Sequence, residues 1–147
     1  WLNRYEWTYS VTLTPNSRDQ QTSPDKMYRL LHEWDARMNR CLFGPKWTKR
    51  QDERLFFFFF LEKPVVNPHW HGLLRLDPSN PTDQPRLEAR FKGECERLWK
   101  RVVRAGTTDV KMVHTPEGIS KYVTKELAGV VQYECFVCPR TFDPTAS

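Results

Sequence analysis

His69 and His71 are separated by a single residue in the stretch 62–76, EKPVVNPHWHGLLRL. On a β-strand, residues i and i+2 share a face, so both imidazoles point the same way, while Trp70, Gly72, Leu74 and Leu76 point the other way. The preceding stretch 55–62, LFFFFFLE, ends in a carboxylate, Glu62. Two such strands joined by the short polar stretch 63–68 form an antiparallel hairpin. If those six residues are the turn, Glu62 stands opposite His69 and Phe60 opposite His71. Directly opposed residues project to one face, roughly 5 Å apart at Cβ. Two imidazoles and one carboxylate then make a divalent-metal site with open coordination positions. A register slip of two residues keeps that face, and a slip of one destroys it.

Other chemistry is open to the same residues. The plainest alternative is a solvent-facing strand edge that binds nothing. Metal oxygenase or cupin-like sites also use His-x-His with a glutamate, but there the glutamate follows the histidines. Here Gly72, Leu73, Leu74, Arg75 and Leu76 follow, and none can be that ligand. Structural zinc wants four spaced Cys and His ligands, and no cysteine lies near the hairpin. A second motif, GISKYVTKEL at 118–127, sets Tyr122 and Lys125 three apart, on one face of a helix. Taken alone it reads as a core tyrosine beside a solvated lysine. A tyrosine of pKa about 10 is a poor nucleophile unless its electrophile is activated by a metal and a cation sits nearby.

The elements that must position these groups follow from hydrophobic period. Residues 7–14, WTYSVTLT, alternate, with Trp7, Tyr9, Val11 and Leu13 on the apolar face, and read as a half-buried first strand. Ser23 and Pro24 are an N-cap and a first-turn proline. Met27, Leu30, Leu31, Trp34, Met38 and Cys41 then recur at helical spacing, and Gly44 and Pro45 stop the helix. Lys46, Trp47, Lys49 and Arg50 set an aromatic among positive charges. They either stack a base and hold phosphates, or form a solvated loop with Trp47 tucked into the core. The run Phe56–Phe60 implies a strand buried on both faces and central in its sheet. Residues 86–104 form a second helix with the stripe Leu87, Phe91, Leu98, Trp99, Val102 and Val103, ended by Gly106. Residues 109–113 are a short strand, 115–129 a third helix and 130–137 a last strand. The expected fold is α+β: one domain over 1–147 with a central antiparallel β-sheet of about five strands, RRM- or ferredoxin-like, and helices packed mainly on one face. A further segment could begin after about 129.

Composition narrows the class. The chain has 147 residues, 39% hydrophobic and 14% aromatic, enough for one real core. Its net charge of +5 favours a polyanionic partner. No apolar run reaches membrane-spanning length and no signal-peptide pattern opens the chain, so no membrane association is expected. The first residue is Trp1 rather than Met, as in a piece of a longer protein. Four scattered cysteines suit a reduced, intracellular protein. Cys135 and Cys138 read equally as half a zinc site or as two unrelated thiols. No GxxxxGK[ST] motif occurs, so no nucleotide cofactor is expected here.

The residues resemble the HUH endonucleases, and more narrowly the replication-initiator (Rep) nucleases of small circular single-stranded DNA viruses, plasmids and parvoviruses. A first-signature strand of the UFTLT type is matched by Tyr9-Ser10-Val11-Thr12-Leu13-Thr14-Pro15-Asn16. His-hydrophobic-His is matched by His69-Trp70-His71, the upstream acidic ligand by Glu62, and Tyr-x-x-Lys by Tyr122-Val123-Thr124-Lys125. The match covers about residues 7–128 in the family's order, with the tyrosine after the histidines and one tyrosine on that helix.

The resemblance implies Mg²⁺ or Mn²⁺ on Glu62, His69 and His71, attack by Tyr122 on a scissile phosphate of single-stranded DNA, and a 5′-phosphotyrosine bond with a free 3′-OH that primes rolling-circle replication. Lys125 would stabilise negative charge or position Tyr122. Thr12, Thr14 and Asn16 would lie near the DNA, with Lys46, Trp47, Lys49, Arg50 and Lys121 as further contacts. The substrate would be an origin sequence at a stem-loop, and a helicase domain often follows in viral relatives. The site of action would be the host nucleus for a eukaryotic virus, or the cytoplasm for a bacterial replicon. Two other functions compete: a single-tyrosine transposase of the same chemistry, and a non-catalytic single-strand-binding module on an RRM-like sheet.

Overall fold

The computed structural model describes residues 6–17, 22–50, 52–113 and 136–139. Strand β1 (Tyr9–Thr14) is followed by helix α1 (Pro24–Phe43), the hairpin β2 (Leu55–Glu62) and β3 (His69–Leu76), helix α2 (Gln84–Val102), strand β4 (Thr107–Met112) and the short β5 (Phe136–Val137). The five strands form one antiparallel sheet in the order β4-β1-β3-β2-β5. β1 and β2 both run antiparallel to β3, which lies between them, so β1-α1-β2 is a split β-α-β unit. The expected α+β fold with a central antiparallel sheet is the one found.

Both helices cover one face. Met27, Leu31, Trp34, Met38 and Leu42 of α1 and Leu87, Phe91, Cys95, Leu98 and Trp99 of α2 pack into one core. From the sheet they meet the alternate residues Tyr9, Val11 and Leu13, Leu55, Phe57, Phe59 and Leu61, and Trp70, Leu74 and Leu76. Ser23 caps α1 by accepting from the Lys26 amide at 3.3 Å. Three core tryptophans tie the layers together, because a buried indole N–H needs an acceptor. Trp34 donates to the Cys95 carbonyl, Trp70 to that of Met27 and Trp99 to that of Thr14. The last two bonds anchor the site-bearing ends of β3 and β1 to the helices.

Gly72 is required by close approach. It pairs with Phe59, and a Cβ there would lie 2.4 Å from the Phe59 ring and 2.6 Å from the Phe58 carbonyl oxygen. The Phe59 ring takes the place of the missing side chain and reaches Trp34 edge-on, at 5.9 Å between centroids.

Several expectations are corrected. Trp7 does not share the face of Tyr9 and Val11. It precedes the strand, so alternation does not bind it, and it stacks on Phe56 and meets Phe58 edge-on, on the other face. There it joins a second, smaller cluster with Leu73, Phe60 and Phe136. Within the run 56–60, Phe57, Phe58 and Phe59 are buried, whereas Phe56 and Phe60 are only half-buried. On α1 the last stripe position is Leu42, with Cys41 only partly buried, and on α2 Cys95 belongs to the stripe. β4 begins at Thr107 rather than at 109, because it pairs residue for residue with β1 from Thr14↔Thr107 to Tyr9↔Met112. Of the expected last strand, Phe136 and Val137 are described and lie beside β2. The expected third helix, with Lys121, Tyr122 and Lys125, lies outside the described residues, as does Cys135. Among the described residues no helix is long and apolar enough to cross a membrane.

Candidate metal and nucleic-acid site

The hairpin has the register that its six-residue turn predicts: Glu62 pairs with His69 and Phe60 with His71. All four face away from the helices. Glu62 Oε2 lies 3.2 Å from His69 Nε2 and 3.6 Å from His71 Nε2. The three ligand atoms fall within 4.8 Å of one another, on side chains roughly four-fifths buried. Neighbouring ligands on a cation with ~2.1 Å bonds sit roughly 3 Å apart, which these separations approach.

The donor chemistry fits a cation as well. His69 Nδ1 is 2.9 Å from the Asn67 carbonyl oxygen, which can only accept, so that nitrogen bears the hydrogen. In the neutral ring the Nε2 lone pair then faces the Glu62 carboxylate. Two acceptors at 3.2 Å are held together by a proton or a cation between them. His71 is held similarly, with Nδ1 2.9 Å from the Thr12 hydroxyl. Thr12 and His71 are directly opposed in the β1–β3 register.

A cleft of about 400 Å³ opens beside the pair, lined by Thr12, Thr14, Asn16, Asn67, His69 and His71. The first-signature residues and the histidines therefore meet at one end of the sheet. Asn16 is committed structurally: its amide donates to the Ala105 carbonyl and the Thr107 hydroxyl, tying the end of β1 to the start of β4. Three non-glycine residues adopt left-handed backbone among the described residues: Asn16 (φ 51°), Lys63 (φ 49°) and Asn67 (φ 53°). All three border this site, where such strain is often concentrated. Lys63 directly follows one ligand, and Asn67 lies two residues before another.

The structure does not bring the basic loop to this place. Lys46 precedes the short 3₁₀ helix Trp47–Lys49, and the Arg54 guanidinium lies 5.1 Å from the Trp47 ring. Arg54 adjoins the start of β2, while Glu62 ends it, about 26 Å away at ~3.3 Å per residue. Trp47 is half-buried rather than part of the core, and Arg50 pairs with Glu53 at 2.8 Å.

Two buried side chains, Tyr9 and Cys95, hold their protons tightly. Burial, with Glu88 nearby, pushes the Tyr9 hydroxyl up to about 12. Burial pushes the Cys95 thiol up to about 12 too.

Sequence reasoning missed Asn67, and it gave Thr12 a different task. An Asn in a turn tolerates left-handed backbone, but that does not say where its carbonyl points. No family model, curated protein or solved structure matches the chain.

Proposed function

We propose that this domain is a metal-dependent, sequence-specific single-stranded DNA endonuclease and strand transferase of the Rep type. The observation that carries the reading is the convergence of Glu62, His69 and His71 beside the cleft bordered by Thr12, Thr14 and Asn16. Glu62, His69 and His71 would hold Mn²⁺ or Mg²⁺, which would supply Lewis-acid polarisation of a phosphoryl oxygen. Mixed nitrogen and oxygen ligation suits Mn²⁺ at least as well as Mg²⁺. Tyr122, which follows the histidines in the chain, is the nucleophile. Its oxygen bonds to phosphorus, the phosphorus–O3′ bond breaks, and the phenolic proton is balanced by the one gained at the released 3′-hydroxyl. Lys125, three residues further along the motif, stabilises the negative charge. The new ester conserves the energy of the old bond, so a 3′-hydroxyl can reverse the step and rejoin ends. A free 3′-end of this kind primes rolling-circle replication.

The test is cleavage of single-stranded DNA with analysis of both ends. The reading expects a polymerase-extendable 3′-hydroxyl and a 5′-end blocked by protein. Products with free 5′-phosphates would contradict it. A binding-only module is favoured by one observation, the partly exposed aromatics Phe56, Phe60 and Phe136 on the sheet face opposite α1 and α2. That reading expects binding with no cut.

A further inference from the structure

A histidine can serve a cation through either ring nitrogen, and the hydrogen bond at the other nitrogen decides which. Here both far nitrogens are engaged. The Asn67 carbonyl takes the hydrogen of His69 Nδ1 at 2.9 Å. The Thr12 hydroxyl lies 2.9 Å from His71 Nδ1, and as the acceptor it would give His71 the same tautomer. Both Nε2 atoms then present lone pairs toward Glu62 Oε2. Neither contact is accidental in the fold. Thr12 faces His71 because the β1–β3 register opposes them, and β1 is held on its other side by β4. Asn67 reaches back to His69 because its backbone is left-handed, at φ 53°.

We propose that the Thr12 hydroxyl and the Asn67 carbonyl are positioning groups of the cation site. Neither touches the cation. Each holds the far nitrogen of one histidine, and so commits the near nitrogen to the metal before it arrives. This rests on the cation-site reading above. It gives Thr12 a task in the DNA-free protein, separate from any contact with DNA. The hydroxyl acts as acceptor, so serine can replace threonine and valine, of almost the same shape, cannot.

The experiment compares wild type, Thr12→Val and Thr12→Ser in two readouts. Metal-free protein labelled with ¹⁵N-histidine is examined by long-range ¹H–¹⁵N correlation, which distinguishes the tautomers. Mn²⁺ affinity is then measured by calorimetry, with melting curves to check the fold. Valine suits a strand, so Thr12→Val is expected to fold. In wild type both rings should carry hydrogen on Nδ1. In Thr12→Val the His71 signals should become mixed while those of His69 stay. Mn²⁺ binding should weaken about 10- to 100-fold, the range typical when such a contact is lost. Thr12→Ser should restore both readouts.

An Asn67→Val variant, disfavoured at the positive φ of this position, should also weaken Mn²⁺ binding. Unchanged Mn²⁺ affinity and an unchanged His71 tautomer in Thr12→Val would overturn the proposal. Wild-type protein that takes no Mn²⁺ would overturn the cation reading and the proposal with it. The tautomer spectra would then show separately whether the hydrogen bonds had been assigned correctly.

Discussion

Glu62 and His69 are the last and first residues of the two hairpin strands, opposed in register, with Oε2 3.2 Å from Nε2. If a cation is shared, ligand binding to the native state alone must raise stability. Mn²⁺ at 100 times its Kd should stabilise wild type by about 2.7 kcal/mol. Glu62→Gln and His69→Ala should fold in metal-free buffer and lose that increment, as read by melting with and without Mn²⁺. An increment retained in both variants would place the cation elsewhere.

Gly72 and Phe59 make a second test, of the sheet that carries the histidines. A Cβ at 72 meets the Phe59 ring at 2.4 Å and the Phe58 carbonyl at 2.6 Å. Gly72→Ala should therefore destabilise by about 1–3 kcal/mol, the usual cost of overpacking. Urea unfolding measures it. Trimming the ring in Gly72→Ala/Phe59→Leu should recover part of the loss, because the carbonyl clash remains.

Asp35 gives a pH prediction. It is buried inside α1, and burial pushes its carboxyl from 3.8 up to about 7, against the lowering effects of Arg54 and Asn39. The Arg54 guanidinium stands 3.7 Å off, beyond hydrogen-bond reach, so it offsets the burial only in part. Asn39 donates to Asp35 Oδ1 at 2.6 Å and accepts from the Leu55 amide, linking the helix to the start of β2. A folded pKa above the unfolded one means that the native state holds the proton more tightly. Its contribution is full below about pH 4 and is lost as pH rises through about 7. Stability should fall across that window in wild type, and the fall should be smaller in Asp35→Asn. Equal slopes in urea titrations of the two proteins would contradict this.

The basic loop can be tested apart from the cation. If Lys46, Lys49 and Arg50 hold phosphates, replacing each with alanine should flatten the slope of log K against log salt by about 0.7 per lost contact on single strands. Mn²⁺ affinity should not change, since the loop lies at the other end of β2. An unaltered slope would make the loop ordinary solvated surface.

Much of the site was legible because a strand has a period of two and six residues separate 62 from 69. Those two facts put Glu62, His69 and His71 on one face, and both held. What was illegible has physical reasons as well. The Asn67 carbonyl direction follows from a backbone torsion, which hydropathy does not report. The Asp35–Asn39 pair sits one helical turn apart among apolar neighbours, where a pattern reader sees only an interruption. β4 is an edge strand with Thr107, Asp109, Lys111 and Met112 exposed, so its start carried no clean alternation. Trp7 lies before the ladder begins, where parity no longer constrains it.

The most direct test of the central claim is a covalent-adduct assay. The protein is incubated with a randomised pool of single-stranded DNA and Mn²⁺, run on a denaturing gel, and the attached DNA is sequenced. The account predicts a shifted band carrying a common sequence, lost in Tyr122→Phe and in EDTA. A well-covered pool that yields no adduct, or an adduct that persists in Tyr122→Phe, would contradict it.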